Sequence, residues 1–158
     1  MAVELAQGVV SDLQTYLQAH LSAKITAINT QYSDDIILTD IADWYTTPQQ
    51  LKGIPNFPII IILAGHTDVF QFQETWTDSG IEVTIGVIVM DPNNADLSQR
   101  AYRYTLAIWL CLVDAYFSSG LSWRLFGNPS IDHSPIYSNG SSFLADGRVN
   151  ASFRKHEA

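Results

Sequence analysis

Between Gly80 and Gly120 the chain changes its hydrophobic period from two to about 3.6 within a few residues, and this switch constrains the fold more than any other feature. In GIEVTIGVIVMDP, Ile81, Val83, Ile85, Val87 and Val89 fall on one face of a strand and Glu82, Thr84, Gly86, Ile88 and Met90 on the other. The alternation stops at Asp91-Pro92. Asp91, Asn93, Asn94 and Asp96 then offer side-chain oxygens for a helix N-cap, and Leu97, Ala101, Tyr104, Ile108, Cys111 and Ala115 form one helical stripe. Ser118-Ser119-Gly120 ends it, with a glycine suited to a left-handed C-cap. The stretch holds a strand feeding a helix and no nucleophile, metal cluster or phosphate loop.

The flanking segments follow the same two periods. Val3 to Ile28 places Ala6, Val9, Val10, Leu13, Tyr16, Leu17, Leu21, Ile25 and Ile28 on one stripe, which predicts a first amphipathic helix. From Asn29 to Phe57 the pattern dissolves, with one short strand expected near Ile36 to Leu38. So long a connection in a compact domain is usually functional or partner-bound, and it reads as a docking arm. Pro58 to Ala64, a β-branched run, predicts a central strand; Gly65-His66-Thr67-Asp68 predicts a turn; Val69 to Glu74 predicts the hairpin partner. Thr75 to Ser79 reads as the connection into the Ile81 strand. Beyond the second helix, Leu121 to Phe126 reads as a strand broken at Gly127-Asn128-Pro129 and resuming from Ser130 to Tyr137. Ser138 to Ser141 is a turn, and Phe143 to Arg154 is a last strand with Val149, Ala151 and Phe153 on one side. The expectation is one α+β domain over residues 1–158, with a mostly antiparallel sheet of about five strands, two amphipathic helices, and the order α-β-β-β-α-β-β.

Composition narrows the function classes. Charged residues make up 15% of the 158 residues, against about 25% in a typical domain, so much of the surface is neutral or apolar and suited to contact with other subunits. The formal charge is −8, which argues against a nucleic-acid-binding face. Basic residues concentrate late: Arg100, Arg103, Arg124, Arg148, Arg154 and Lys155 are preceded only by Lys24 and Lys52. The single cysteine, Cys111, sits in the apolar run LAIWLCLV and reads as an inert core residue. That run and FPIIIILA fall far short of the roughly 20 residues of a membrane helix. With no signal peptide visible at MAVELAQ, the chain is expected to be soluble and made in the cytoplasm.

Each candidate chemical constellation has a plainer explanation. His66 and Asp68 suit a metal or an acid-base pair, yet a turn needs polar residues anyway. Asp132-His133-Ser134 contains the residue types of a hydrolytic triad, but consecutive residues rarely converge on one atom. Asp34, Asp35, Asp40 and Asp43 lack the glycine and terminal glutamate of a calcium loop and read as a solvated acidic loop. The four histidines, His20, His66, His133 and His156, lack metal-ligand spacing. Arg100 and Arg103, in RAYRY, are expected on the wet side of the second helix.

The order of elements, the FPIIIIL strand, the IEVTIGVIVMDP strand and the Arg100-bearing helix start resemble the tail terminator, or tail-completion, proteins of long-tailed bacteriophages over about Val3 to Phe153. That resemblance implies a structural protein of the virion, made in the host cytoplasm. It implies a homo-oligomeric ring, hexameric, that caps the tail tube and joins it to the head. Its partners would be the tail tube protein, head-tail connector or neck proteins, and a sheath protein where the tail contracts. DNA would pass through without specific binding, and no enzyme activity, cofactor, metal or membrane is expected. Ring closure would use up sheet edges by pairing strands across subunits. Trp44 and Tyr45 in the arm, His66, Asp68 and Trp76 in the hairpin, Arg100, Arg103, Asn139 and Arg154 are the candidate subunit or tail contacts. Two rival readings stand beside it: another connector or neck protein of the same fold, and a small hydrolase using His66 and His133. An adaptor domain binding a peptide on a sheet edge is a third.

Overall fold

The structure is a computed structural model that describes residues 2–49, 53–73, 76–92, 95–118, 121–134, 136–138 and 142–157. Two helices, α1 (Ala2–Tyr32) and α2 (Leu97–Ser118), pack on one face of a six-stranded sheet. The strands are β1 (Asp43–Tyr45), β2 (Ile59–Gln73), β3 (Trp76–Asp91), β4 (Arg124–His133), β5 (Tyr137–Ser138) and β6 (Phe143–Glu157). Their spatial order is β1-β2-β3-β6-β4, with β5 beside β6, and every pairing is antiparallel except β1 with β2. This is the α+β class the periodicity implies, with the two-residue β5 as an added strand, β1 as the first strand, and the two strands expected from Pro58 and from Val69 joined in the single strand β2.

The switch at Asp91 places the core. Ile81, Val83, Ile85, Val87 and Val89 are all buried, and β6 sets Phe153, Ala151, Val149, Gly147 and Ala145 beside them in register. Leu13, Leu17, Leu21, Ile25 and Ile28 of α1 and Leu97, Tyr104, Ile108, Cys111 and Leu112 of α2 close over that face. The helices run in opposite directions, since Lys24 pairs with Asp114 while Asp12, nearer the start of α1, accepts from Ser122 beyond α2. At the closest point a Cβ on Gly147 would lie 2.4 Å from Thr105 Cγ2 and 3.4 Å from the Ala101 carbonyl. Glycine is what lets α2 sit directly on β6.

Several local expectations are corrected. No strand forms at Ile36 to Leu38; the short strand is β1, with Asp43 opposite Ile59 and Tyr45 opposite Ile61. Side chains have taken over the ladder there. The Asn29 amide accepts from Leu38 N and donates to Leu38 O, both at 2.9 Å, and the Tyr104 hydroxyl serves Thr39 N and O at 3.0 and 2.7 Å.

The turn expected at Gly65 to Asp68 is instead continuous strand: Thr67 pairs with Ile81 and Asp68 with Gly80, across a register shift between Ala64 and Thr67. A bulge absorbs the irregularity, because β3 begins at Trp76, within the stretch expected to be a connection, and supplies a partner all along. The break at Gly127 to Pro129 likewise lies inside β4, with Gly127 at φ 73° and the register shifting between Phe126 and Ser130. That strand starts at Arg124 rather than Leu121 and ends at His133, with Tyr137 falling in β5.

Candidate interaction surface

With the helices on one side, the other face of the sheet is divided. Near β1, Ile59, Ile88 and Leu144 form a small second core joined by Tyr45, Ile54, Phe57, Ile61 and Met90. Farther along, the face turns polar. Thr84 Oγ1 donates to Asn150 Oδ1 at 2.9 Å, and Asn150 Nδ2 donates to Asp132 Oδ2 at 2.7 Å. Asp146, 8% exposed, accepts from Arg148 Nη2 at 3.1 Å through one oxygen, Oδ2. A cavity of about 450 Å³ lies on this face, lined by Ile61, Leu63, Gly86 and Ile88 with Asp146 and Arg148 at one side and Pro48 and Gln49 at another. A second cleft of about 520 Å³ runs between α1 (Ala6, Val10, Gln14), Thr46, Thr47 and Leu63-Ala64 of β2.

The acidic segment after α1 is fastened to the body. Ser33 adopts φ 47°, and its amide bonds back to the Asn29 carbonyl, which closes the helix. Asp34 then pairs with the Arg103 guanidinium through both oxygens, Arg103 Nη1 also donates to the Ile36 carbonyl at 2.9 Å, and the guanidinium lies 4.2 Å from the Tyr32 ring centroid. Asp40 accepts from Ser22 Oγ at 2.8 Å. The Arg103 guanidinium beside Asp34 holds its carboxyl well below the usual range, at about 2. Arg103 is 8% exposed, so it is not on the wet side of α2 as its spacing suggests. The apolar stripe fixes which face meets the sheet, and Arg103 borders that stripe where the returning chain covers it.

The candidate contact residues scatter over this framework. Trp44 packs half-buried on the main core and Tyr45 on the smaller one. His66 is exposed on β2 at the bulge; Asp68 follows on the same strand, and Trp76 opens β3 opposite Gln73. Arg100 ties α2 to the end of β3 through Asp91 at 3.0 Å. Arg154 is exposed on β6, its guanidinium carbon 3.7 Å from the Phe126 ring centroid. Asn139 lies outside the described residues.

The two histidines of the hydrolase reading are not brought together. His66 stands on β2 and His133 on β4, with β3 and β6 between them, which is about 14 Å across the sheet. Asp132, His133 and Ser134 diverge too: Asp132 binds Asn150, the His133 ring stacks edge-on against Tyr102 at 4.3 Å, and Ser134 N donates to the Asp146 carbonyl. Among the described residues no group of three or more His, Cys, Asp or Glu is placed to hold a metal ion. Burial pushes the Cys111 thiol up to about 12, as expected of a core cysteine. No described helix is long and apolar enough to cross a membrane.

The sequence reading missed Asn29, Gly147 and Asp146. Asn29 had a signal, a polar residue on the apolar edge of a helix just before the pattern dissolves. Gly147, inside an alternating strand, marks close backbone approach.

No protein-family model and no curated protein matches the chain. Among solved structures it is similar to a chain from the virion of a native gene transfer agent particle, at 17% identity, covering 87% of this chain and 94% of that one, with a TM-score of 0.32. A likeness that loose carries no functional argument.

Proposed function

We propose that this chain is a structural virion protein, a tail terminator whose copies form a ring on the last layer of a phage-type tail tube and join it to the head. The observation that carries the reading is the division of the sheet. One face is closed under two helices, while the opposite face, both strand edges and the half-buried Trp44-Tyr45 strand leave extensive backbone and aromatic surface for neighbours. A helix, a run of strands, a second helix and a second run of strands follow one another as in the resemblance, and a formal charge of −8 lets DNA pass without being held. In this reading the ring is hexameric, its partners are the tail tube protein, the connector or neck proteins and any sheath, and the site is the virion neck. The role is assembly rather than catalysis.

Particles assembled without this protein test the proposal by electron microscopy. Tails of unregulated length, or tails unable to join heads, are the expected result; normal tails joined to heads would sink it. Within that test, alanine at both Trp44 and Tyr45 is expected to weaken ring assembly or tail joining. Intact assembly would remove the 29–57 arm from the contact surface.

A further inference from the structure

With sixteen acidic residues against eight basic ones, every cation in this chain could find a carboxylate, and most do. Lys24 holds Asp114, Arg100 holds Asp91, Arg103 holds Asp34 and Arg148 holds Asp146. Arg124 and Arg154 hold none, although both are exposed and Glu82 stands exposed on the neighbouring strand. Register sets these two arginines directly opposite each other where β4 begins, an arrangement in which like charges repel. Arg154 leans over Phe126, its guanidinium carbon 3.7 Å from the ring centroid, and so carries its charge from β6 onto β4. The same corner is rich in open aromatic surface: Phe126 is 53% exposed and Phe117, edge-on to Tyr116 at the end of α2, is 79% exposed. On the helix side of β4 a cleft of about 200 Å³ opens between Tyr116, Leu121, Trp123 and Leu125. β4 is the last strand on its side of the sheet, so the outer edge of Arg124 to Phe126 has no strand partner among the described residues.

We infer that the start of β4 is a docking edge for an extended acidic segment of a partner polypeptide. The segment adds a strand beside Arg124 to Phe126, and its backbone takes up the outward N–H and C=O groups of that edge. Arg124 and Phe126 flank the buried Leu125, so they stand on the open face. Carboxylates on that face of the segment accept from the Arg124 and Arg154 guanidinium groups, which relieves the repulsion between them. Side chains in a strand alternate, so the intervening residues of the segment turn to the helix side, where an apolar one enters the cleft beside Tyr116. The segment therefore reads acidic, apolar, acidic. The Gly127 bulge and Pro129, which has no N–H to donate, end the docking edge and keep the contact short. A short peptide brings only a few negative charges, whereas a nucleic acid brings a long row of them toward a chain of formal charge −8. The contact needs a single copy of this chain and stands apart from the ring reading.

The probe is a capped peptide, Asp-Val-Asp-Val-Asp, titrated into the full chain at low salt and followed by amide NMR shifts. Shifts are expected at Arg124 to Phe126 and at Arg154, and a peptide with lysine in place of aspartate should produce none. Arg124→Thr and Arg154→Thr should each weaken binding about tenfold, the loss of one charge-assisted contact. A copy of the peptide N-methylated at every residue keeps its charges but cannot extend the ladder, and it should not bind. Thermal unfolding without peptide separates this role from a structural one: removing one of two facing charges in Arg124→Thr should leave Tm unchanged or raise it. A lower Tm would show that Arg124 serves the fold, and the inference would fall. It would fall equally if millimolar acidic peptide left these amides unmoved, or if the N-methylated peptide bound as well as the parent. A DNA oligonucleotide that shifted the same amides at lower concentration than the peptide, and lost that effect in Arg124→Thr, would replace the acidic polypeptide with a nucleic acid.

Discussion

The two faces of the sheet are built from the same strands by different physics. On the covered face, alternate residues of β3 and β6 meet two helices with almost no water, and stability comes from close packing and apolar burial. On the open face, apart from the small cluster of Ile59, Ile88 and Leu144 and the buried Asp146, the intervening residues meet solvent, and cross-strand polar pairs such as Thr84 with Asn150 hold the surface. The covered face tolerates little change in volume, and the open face tolerates much. One face therefore specifies the fold and leaves the other available to neighbours.

Two glycines one strand apart test the contrast most severely. Gly147→Ala puts a methyl group 2.4 Å from Thr105 Cγ2 on the covered face, and we expect a loss of about 2 kcal/mol, or about 4–8 °C in Tm. Gly86→Ala on the open face meets only the Ile61 carbonyl at 3.8 Å and should change stability by no more than about 0.5 kcal/mol. Thr105→Ser removes the clashing methyl, so in the double variant with Gly147→Ala most of the loss should return. Thermal unfolding of the four proteins decides it; equal effects at Gly147 and Gly86 would end the distinction between the faces.

The rim of the covered face, where the chain after α1 is strapped down, comes next in size. Arg103→Leu removes charged hydrogen bonds to Asp34 and the Ile36 carbonyl and is expected to cost about 2 kcal/mol, read from urea unfolding. The pair also predicts a pH dependence. Arg103 holds the Asp34 carboxyl at about 2, below its ordinary 3.8, so the folded state favours the ionised form. Its contribution is complete above about pH 4 and is lost as pH falls from there toward 2. Arg103→Leu should flatten the stability profile in that window, and a wild-type profile already flat there would show that the pair does not fasten the strap. Tyr104→Phe removes the hydroxyl that serves Thr39 and should cost about 1 kcal/mol.

How far the sequence can be read follows the same division. Wherever one face is buried, period two or 3.6 is written into the chain, and both helices, the core of β3 and the inward residues of β6 were legible from it. The Gly65 to Asp68 stretch was misread because glycine and polar residues signal a turn locally, while the outcome depends on a distant strand offering a partner. The strand expected at Leu38 was lost to two side chains, Asn29 and Tyr104, which take the backbone bonds a ladder would have taken. Arg103 was misplaced because helical spacing gives an angle around the axis and not what later covers that angle. The candidate contacts are the least legible, since a residue that meets another subunit leaves no periodic trace in its own chain.

The smallest expected effect lies at Asn150, at the centre of the open face. Its amide joins Thr84 at 2.9 Å, Asp132 at 2.7 Å and Ser130 at 3.4 Å, yet these bonds compete with water. Asn150→Ala should lower stability by only about 0.5 kcal/mol, because the groups released are rehydrated rather than stranded. A loss above about 2 kcal/mol by urea unfolding would mean that the polar network is buried in effect, and that the open face helps to specify the fold. A stable variant that no longer assembles would sharpen the contrast the other way. The network would then be holding Asp132 in position on β4, an outer strand of the sheet, and the open face would act on assembly while contributing almost nothing to folding.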